Sequence, residues 1–192
     1  MPSVSAVARL LPDPGRVDRP LRVIVVCWGN ICRSPLAEFM LRAAVDAAGL
    51  GDQVEVSSAG TSTEEIGHPM DQRTLATLRR HGVPDTGFAA KRARQFRPET
   101  FDQADLVLAA DRIHEEILRK RARTPEEVGR IRMLRSFDPR AVSAGDLGMD
   151  DPWYGNDRDF DQTFREVEGA IPGIVAYLSD QVGARPGFGR SF

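Results

Sequence analysis

The sequence has little cysteine, almost no lysine and no long hydrophobic run. Two cysteines, Cys27 and Cys32, cannot make a disulfide framework. Such a low cysteine content is typical of a protein in a reducing compartment. No apolar run approaches the roughly 20 residues that a membrane span needs, and Arg9 interrupts the weakly apolar segment 1–11, which makes it a poor signal peptide. We therefore expect a cytoplasmic protein with no membrane partner.

Charge of one sign is also lacking. The 26 basic and 28 acidic side chains give a formal net charge of −2. This balance provides no overall attraction to nucleic acid, so no nucleic-acid partner is expected. Only two of the basic residues are lysines, Lys91 and Lys120.

Histidine is scarce, and no cluster of His, Cys, Asp and Glu has the spacing of a metal site. We expect no metal and no cofactor. Of the three histidines, His68 is interpreted as a loop residue beside a proline. His81 is placed at a helix end, where positive charge is favourable, and His114 on a solvated helix face.

Short apolar runs alternate with helical patterns along the chain. The predicted strands are 21–26, 53–57, 105–110 and 131–134. The predicted helices are 36–48, 71–81, 112–123 and 160–182. Pro172 is expected to kink or break the last helix. The segment 136–151 is rich in loop formers and is predicted to be a loop.

This alternation predicts a single α/β domain with a four-stranded parallel sheet and helices on both faces. The domain is expected to span 21–182. Flexible tails are expected at 1–20 and 183–192, which carry few periodic apolar residues.

The loop after the first predicted strand combines features that phosphate-ester hydrolysis requires. Cys27 ends the strand and would be the nucleophile, as a thiolate, because a thiol is a poor nucleophile. Arg33 offers a forked guanidinium that matches a phosphoryl group. Ser34 and Pro35 are predicted as the N-cap and first residue of a helix whose N-terminus favours anions. The other residues of this predicted phosphate-binding loop are Trp28, Gly29, Asn30, Ile31 and Cys32.

The spacing of Cys27 and Arg33 could also arise by chance, since a cysteine at a strand end is often only a small buried apolar residue. The context favours chemistry: a strand precedes the loop, a helix follows it, and Gly29 and Asn30 tolerate unusual backbone angles. Ser34 can also donate a hydrogen bond to the sulfur.

A second segment supplies a candidate general acid. A carboxylic acid can protonate the leaving oxygen and then act as base toward water. The segment 150–154, DDPWY, is the strongest candidate, and Pro152 restricts Asp151 to extended geometry, which helps to aim its carboxyl group. Trp153 and Tyr154 are predicted to form a pocket wall for an aromatic substrate. The alternative is a turn that carries two exposed aromatic side chains.

Together these segments resemble the low-molecular-weight protein tyrosine phosphatases. The run VCWGNICRSPLAE, from Val26 to Glu38, is similar to that family's signature. SSAGT at 57–61 and DDPWYGNDRDF at 150–160 follow in the expected order. The resemblance covers about residues 21–180. It implies hydrolysis of phosphotyrosine-containing protein substrates through a phosphocysteine intermediate, with inorganic phosphate as product, by a monomer or weak dimer.

The resemblance also assigns roles residue by residue. Cys27 matches the nucleophile, Arg33 the phosphate-binding arginine, and Asp151 rather than Asp150 the general acid. Cys32 matches a second cysteine that can form a reversible disulfide with the nucleophile, which a trapped sulfenic acid would explain chemically.

Two further groups of residues are assigned in the same way. Polar residues that brace the loop match Asn30, Ser34 and Ser58. The substrate pocket wall is expected to comprise Trp28, Glu64, Trp153 and Tyr154.

Three positions depart from the family pattern. Trp28 stands where a smaller residue is usual, and Glu64 stands where many members have an aromatic residue on the opposite wall. Lys91 stands where several members have a histidine in the loop-bracing network. Trp28 is expected to narrow the pocket mouth or stack on the substrate ring, and Glu64 to disfavour acidic sequence beside the phosphotyrosine.

Three other functions are compatible with parts of this pattern. Thioredoxin-coupled arsenate reductases share the fold and loop but relay oxidation through cysteines outside the loop, which this chain lacks. Protein arginine phosphatases typically have threonine where this chain has Ile31, and this function stays open as an alternative. A phosphoprotein-binding module with weak or no turnover also stays open because of Trp28.

Overall fold

The computed structural model describes residues 19–185, and a parallel sheet lies at the centre of this part of the chain. Its strands have the order β2-β1-β3-β4. β1 pairs in parallel with both β2 and β3, and β3 pairs in parallel with β4. The strand bounds are β1 Leu21–Cys27, β2 Val54–Gly60, β3 Leu106–Ala109 and β4 Ile131–Met133. The prediction of a four-stranded parallel sheet is confirmed.

Residues 19–185 also form six α-helices. They are α1 Arg33–Ala47, α2 Gln72–Arg80, α3 Arg112–Arg121, α4 Pro125–Gly129, α5 Pro139–Ala144 and α6 Asp157–Gly183. Short 3₁₀ helices lie at Phe88–Ala90, Pro98–Gln103, Leu134–Phe137 and Pro152–Tyr154. Most of these short helices lie in the segments that connect strands and α-helices. They are too short to produce a hydrophobic periodicity that the sequence would reveal.

The two faces of the sheet carry separate apolar clusters. Alternate residues of β1 point to opposite faces, so Val23 and Val25 pack with α1, α2 and α6. Ile24 and Val26 pack on the other face, where α3 contributes Leu118. The prediction of helices on both faces is therefore confirmed. β1 is buried on both sides from Val23 onward, which explains the run of branched apolar residues at 23–26.

Two predicted details are wrong. α1 begins at Arg33, so Ser34 lies inside the helix rather than at its N-cap, and Cys32 at the cap position makes no side-chain capping bond. The segment predicted as a loop contains α5. The carboxylate of Asp138 caps the start of this helix by accepting a hydrogen bond from the Arg140 nitrogen. α6 runs through Pro172 without the break that was expected as one alternative to a kink, and buried residues before and after the proline pack it on the core.

The predicted tails lie mostly outside the described residues, so the division of the chain into domain and tails stays a prediction. At the ends of the described part, Arg19 pairs with Asp105 through contacts of 2.6 and 2.9 Å. Arg185 Nη1 donates to the Arg19 carbonyl oxygen at 2.8 Å. Within residues 19–185, no helix combines the length and apolar character that crossing a membrane requires.

Candidate active site

A small pocket opens where β1 ends and α1 begins. Its volume is about 100 Å³. It is lined by Cys27, Trp28, Gly29, Ile31, Cys32, Arg33, Glu64, Glu65, Asp151, Trp153 and Tyr154. The structure thus brings together the predicted nucleophile, the predicted phosphate-binding arginine and the predicted general acid. The N-terminus of α1 faces the same loop without a side-chain cap, which leaves its first N–H groups free for an anion.

The loop is held by a buried chain of hydrogen bonds. Asn30 has a φ of 61°, a left-handed conformation that asparagine tolerates better than most residues. Its Nδ2 donates to Ser34 Oγ at 2.9 Å and to Ser58 Oγ at 2.8 Å. Ser34 Oγ lies 3.0 Å from Cys27 Sγ. The three residues expected to brace the loop therefore contact one another, and one of them contacts the sulfur.

Glu38, which was not predicted as a site residue, is the next member of this series of hydrogen bonds. Ser58 Oγ donates to Glu38 Oε2 at 2.5 Å, and Lys91 Nζ lies 2.9 Å from the same oxygen. Arg42 Nη2 lies 2.5 Å from the other oxygen, Oε1. Burial lowers the pKa of Lys91, and the Glu38 carboxylate opposes that shift. The signature run ends at Glu38, but only the structure shows that it supports the loop.

Gly60 was also missed. A side chain here would place its Cβ 2.5 Å from the Trp28 carbonyl oxygen and 3.1 Å from the Asn30 nitrogen. These are backbone atoms that cannot move aside. The end of β2 therefore needs glycine so that the loop can pack directly on it.

Arg33 joins the loop to the predicted acid. Its Nη1 donates to the Met149 carbonyl oxygen at 2.8 Å, and its Nη2 lies 2.6 Å from Asp151 Oδ2. The other carboxylate oxygen of Asp151 accepts from the Trp153 nitrogen at 3.1 Å. Asp151 therefore lines the pocket that contains Cys27, whereas Asp150 lines another cavity.

Comparison with known proteins agrees with this geometry. The sequence model of the low molecular weight phosphotyrosine protein phosphatases matches residues 22–184. The chain belongs to this family. The low molecular weight protein-tyrosine-phosphatase of Streptomyces coelicolor is 44% identical over 164 residues, which cover 85% of this chain and 97% of that protein.

Two further matches support the assignment. Low molecular weight protein-tyrosine phosphatase A of Mycobacterium tuberculosis is 43% identical over 163 residues, covering 85% of this chain and 94% of that protein. The crystal structure of YfkJ from Bacillus subtilis superposes with a TM-score of 0.75 at 28% identity, covering 84% of this chain and 96% of that chain. The predicted family and fold are confirmed.

The pocket mouth contains two of the three departures from the family pattern, Trp28 and Glu64. Trp28 is 39% exposed, and its Nε1 donates to Glu64 Oε2 at 2.9 Å. Tyr154 is 89% exposed. Trp28 and Glu64 thus line the pocket as a hydrogen-bonded pair, and a second carboxylate, that of Glu65, also lines it.

Arg73, at the start of α2, was missed as a support for the opposite wall. It donates to the carbonyl oxygens of Trp153 at 3.3 Å and Gly155 at 3.1 Å. Its guanidinium carbon lies 5.6 Å from the centroid of the Trp153 ring. Arg73 therefore fixes the segment that follows Asp151, although nothing in its local sequence distinguishes it from the other arginines.

Cys27 and Cys32 both line this pocket. Neither is in a disulfide, and both are buried. Burial raises the pKa of Cys32, and the nearby carboxylate of Asp71 raises it further. Cys32 therefore remains a neutral thiol at neutral pH.

The prediction for His114 is wrong, because the side chain is only 1% exposed. His114 lies four residues before the buried Leu118 and so shares its inward face of α3. Among the described residues, neither ring nitrogen has a hydrogen-bond partner. Burial lowers the pKa of His114 to about 3, and the charge of Arg33 contributes in the same direction. His114 is therefore neutral throughout the physiological range.

The other two histidines lie as predicted. His68 is an exposed loop residue 2.7 Å from Glu65. His81 follows the end of α2, and its Nε2 lies 3.0 Å from Asp161.

His114 makes the fold sensitive to acid. The unfolded chain binds a proton near the ordinary histidine pKa of 6.5, whereas the folded chain does so only near 3. The free energy of unfolding should therefore fall as pH drops below that ordinary value, by roughly 2 kcal/mol at about pH 5. Urea unfolding of wild type and His114→Gln measures this loss, which the variant should lack.

The matched control is His68→Gln, which removes an exposed histidine. It should keep the wild-type slope of unfolding free energy against pH. Equal slopes in wild type and His114→Gln would contradict a neutral, buried His114.

Proposed function

We propose that this chain hydrolyses phosphotyrosine in proteins by two successive displacements at phosphorus, with a phosphocysteine intermediate on Cys27. One observation carries the proposal: Cys27, Arg33 and Asp151 line the same small pocket at the N-terminus of α1. Membership of the family supports the reaction class.

In the first step the Cys27 thiolate attacks phosphorus. A sulfur–phosphorus bond forms, and the bond from phosphorus to the tyrosine oxygen breaks. Arg33 and the N–H groups of the loop bind the non-bridging oxygens, where charge develops in the transition state. Asp151 gives its proton to the leaving phenolate oxygen. The 2.6 Å contact with Arg33 keeps Asp151 beside the phosphoryl site.

In the second step Asp151 acts as base. It takes a proton from water as the water oxygen attacks phosphorus, and the sulfur–phosphorus bond breaks. Inorganic phosphate leaves. Ser34 Oγ, 3.0 Å from the sulfur, donates a hydrogen bond to the departing thiolate. Asn30 donates to Ser34 Oγ, so the hydroxyl proton of Ser34 has two acceptors in reach, the sulfur at 3.0 Å and the Ala59 carbonyl oxygen at 3.3 Å.

The walls of the pocket select the substrate. The substrate ring would lie between Trp28 on one side and Trp153 and Tyr154 on the other. Ile31 also lines the pocket, and its branched apolar side chain suits a phenyl ring better than a charged guanidinium. These contacts favour phosphotyrosine over phosphoarginine.

Steady-state assays with matched phosphotyrosine and phosphoarginine peptides test the proposed function. We expect turnover of the phosphotyrosine peptide, an early burst of p-nitrophenol from p-nitrophenyl phosphate, and little hydrolysis of phosphoarginine. Faster release from the phosphoarginine peptide would identify an arginine phosphatase. Tight peptide binding without burst or turnover would identify a binding module.

Glu64 is predicted to set the preference for charge around the phosphotyrosine. Glu64→Gln keeps an oxygen acceptor for Trp28 Nε1 but removes the negative charge. It should raise kcat/KM for peptides with acidic flanks by about 3- to 10-fold, and leave p-nitrophenyl phosphate unchanged. The gain should shrink as salt is added, because a charge at the pocket mouth is screened. An unchanged ratio between acidic and neutral peptides would remove Glu64 from substrate selection.

Cys32 is proposed to protect Cys27 from peroxide. Peroxide converts the Cys27 thiolate to a sulfenic acid, and attack by the Cys32 sulfur forms a disulfide and releases water. Wild type should regain activity with dithiothreitol after brief peroxide treatment, whereas Cys32→Ser should lose activity permanently as Cys27 oxidises further. Equal recovery in the two proteins would contradict this role.

We further propose a cytoplasmic location, since the mechanism needs Cys27 in its reduced form, which reducing compartments maintain. The working form is proposed to be a monomer or weak dimer. Sedimentation at several protein concentrations tests the second point, and a stable larger assembly would contradict it.

A further inference from the structure

A groove beside the edge strand β2 is lined mainly by positive charge, although the whole chain carries a net charge of −2. Its volume is about 430 Å³. Its cations are Arg22, Arg42, Lys91, Arg92 and Arg94. Two carboxylates, Glu38 and Glu55, lie among them, so the lining carries an excess of three positive charges.

The two carboxylates are already engaged with three of these cations. Glu55 lies 3.2 Å from Arg22. Glu38 contacts Arg42 at 2.5 Å and Lys91 at 2.9 Å. Two of the three excess charges therefore lie on the other two arginines of the groove, and the third is shared between Arg42 and Lys91, which face the single carboxylate of Glu38.

Those two arginines are held by neutral oxygens. Arg92 Nη1 donates to the carbonyl oxygens of Ala89 at 2.7 Å and Lys91 at 2.8 Å. Arg94 donates through Nε to the Ser58 carbonyl oxygen at 2.9 Å and through Nη2 to Ser57 Oγ at 2.8 Å. A guanidinium has five N–H donors, so each keeps donors for a ligand. Because part of each fork is fixed, less side-chain freedom is lost on binding an anion.

We propose that this groove is a second anion site, which binds a small molecule carrying several phosphate groups. Arginine forks match phosphate oxygens in pairs, and several phosphates would neutralise the excess positive charge. The volume exceeds that of the catalytic pocket about fourfold, which suits a ligand larger than a single phosphate.

The groove is joined to the catalytic loop through Glu38. An anion in the groove competes with Glu38 for Arg42 and Lys91. Glu38 in turn accepts from Ser58, which accepts from Asn30 in the loop. Occupation of the groove therefore loosens the support of the loop, and it lowers kcat without competing with substrate.

Titration of the 15N-labelled full chain with tripolyphosphate tests the site directly. Gly87 lines the groove, and Gly29 lines the catalytic pocket, so their amide signals report the two places separately. We expect the Gly87 signal to shift and saturate at a lower tripolyphosphate concentration than the Gly29 signal. Movement of the catalytic-loop signals alone would overturn the proposal.

Charge-matched variants distinguish a site from general attraction. The double variant Arg22→Ala/Arg92→Ala should weaken the Gly87 response about tenfold or more, since charge-assisted contacts are lost. The double variant Arg97→Ala/Arg112→Ala removes two exposed arginines outside the groove and should leave the response intact. Equal weakening in both would show non-specific attraction and overturn the site.

The same variants test the link to catalysis. Saturating tripolyphosphate should lower kcat for p-nitrophenyl phosphate about fivefold in wild type, at the lower end of typical coupling between sites. Arg22→Ala/Arg92→Ala should keep its basal kcat and lose this effect. Purely competitive inhibition in wild type would overturn the coupling.

Discussion

Replacing Cys27 with serine is expected to lower kcat for p-nitrophenyl phosphate by about 10⁴-fold or more, because a hydroxyl in this loop cannot replace the thiolate. Phosphate and vanadate should still bind, since Arg33 and the N–H groups of the loop are unchanged. Steady-state kinetics give the first quantity, and calorimetry with inorganic phosphate gives the second.

The matched control is Cys32→Ser, which makes the same atomic change in the same pocket. Under reducing conditions it should keep kcat within a few-fold of wild type, because Cys32 is a neutral, buried thiol. Activity near wild type in Cys27→Ser would remove that sulfur from the mechanism. Loss of activity in both variants together with loss of phosphate binding would indicate a damaged loop instead.

Replacing Asp151 with alanine is expected to slow hydrolysis by about 10²- to 10⁴-fold, the usual contribution of acid–base catalysis. The loss should be greater for phosphotyrosine than for p-nitrophenyl phosphate, because a tyrosine oxygen is the more basic leaving group and needs its proton more. Comparing kcat for the two substrates in wild type and variant measures this difference.

Asp150→Ala provides the comparison for Asp151→Ala. It removes a neighbouring carboxylate that lines another cavity with Arg112 and Arg135, so the effect on kcat should be small. A larger loss in Asp150→Ala than in Asp151→Ala would move the acid by one residue. Equal losses for both substrates in Asp151→Ala would argue against proton donation to the leaving group.

The sheet could be predicted from the sequence because its signals are local. The four residues at 23–26 in β1 are all β-branched and buried, a composition and length that favour a strand over a helix. The catalytic segments were found for the same reason. Cys27 and Arg33 lie six positions apart, and the candidate acids lie in the short segment 150–154.

The missed features depend on contacts between distant segments. Glu38 reads as an ordinary helix residue until Ser58 and Lys91 are placed against it. Gly60 matters only because the Trp28 backbone packs on it. The hydrophobic periodicity of a single helix or strand carries no information about such contacts with distant segments.

His114 shows how a polar residue can mislead. Its polarity suggested a solvated face, yet Leu118 four positions later fixes that face as inward. α1 begins earlier in the sequence than predicted, for a related reason. Ser34 is a favourable cap by composition, but its hydroxyl is held by Asn30 and Cys27 instead.

The central claim is that phosphorus becomes bonded to the Cys27 sulfur during turnover. Rapid quenching of the enzyme with substrate, followed by mass spectrometry of its peptides, tests this directly. The account predicts one phosphoryl group on the peptide that contains Cys27, with fragments that place it on that sulfur. A phosphoryl group on another residue, or an unmodified Cys27 peptide during the burst, would contradict it.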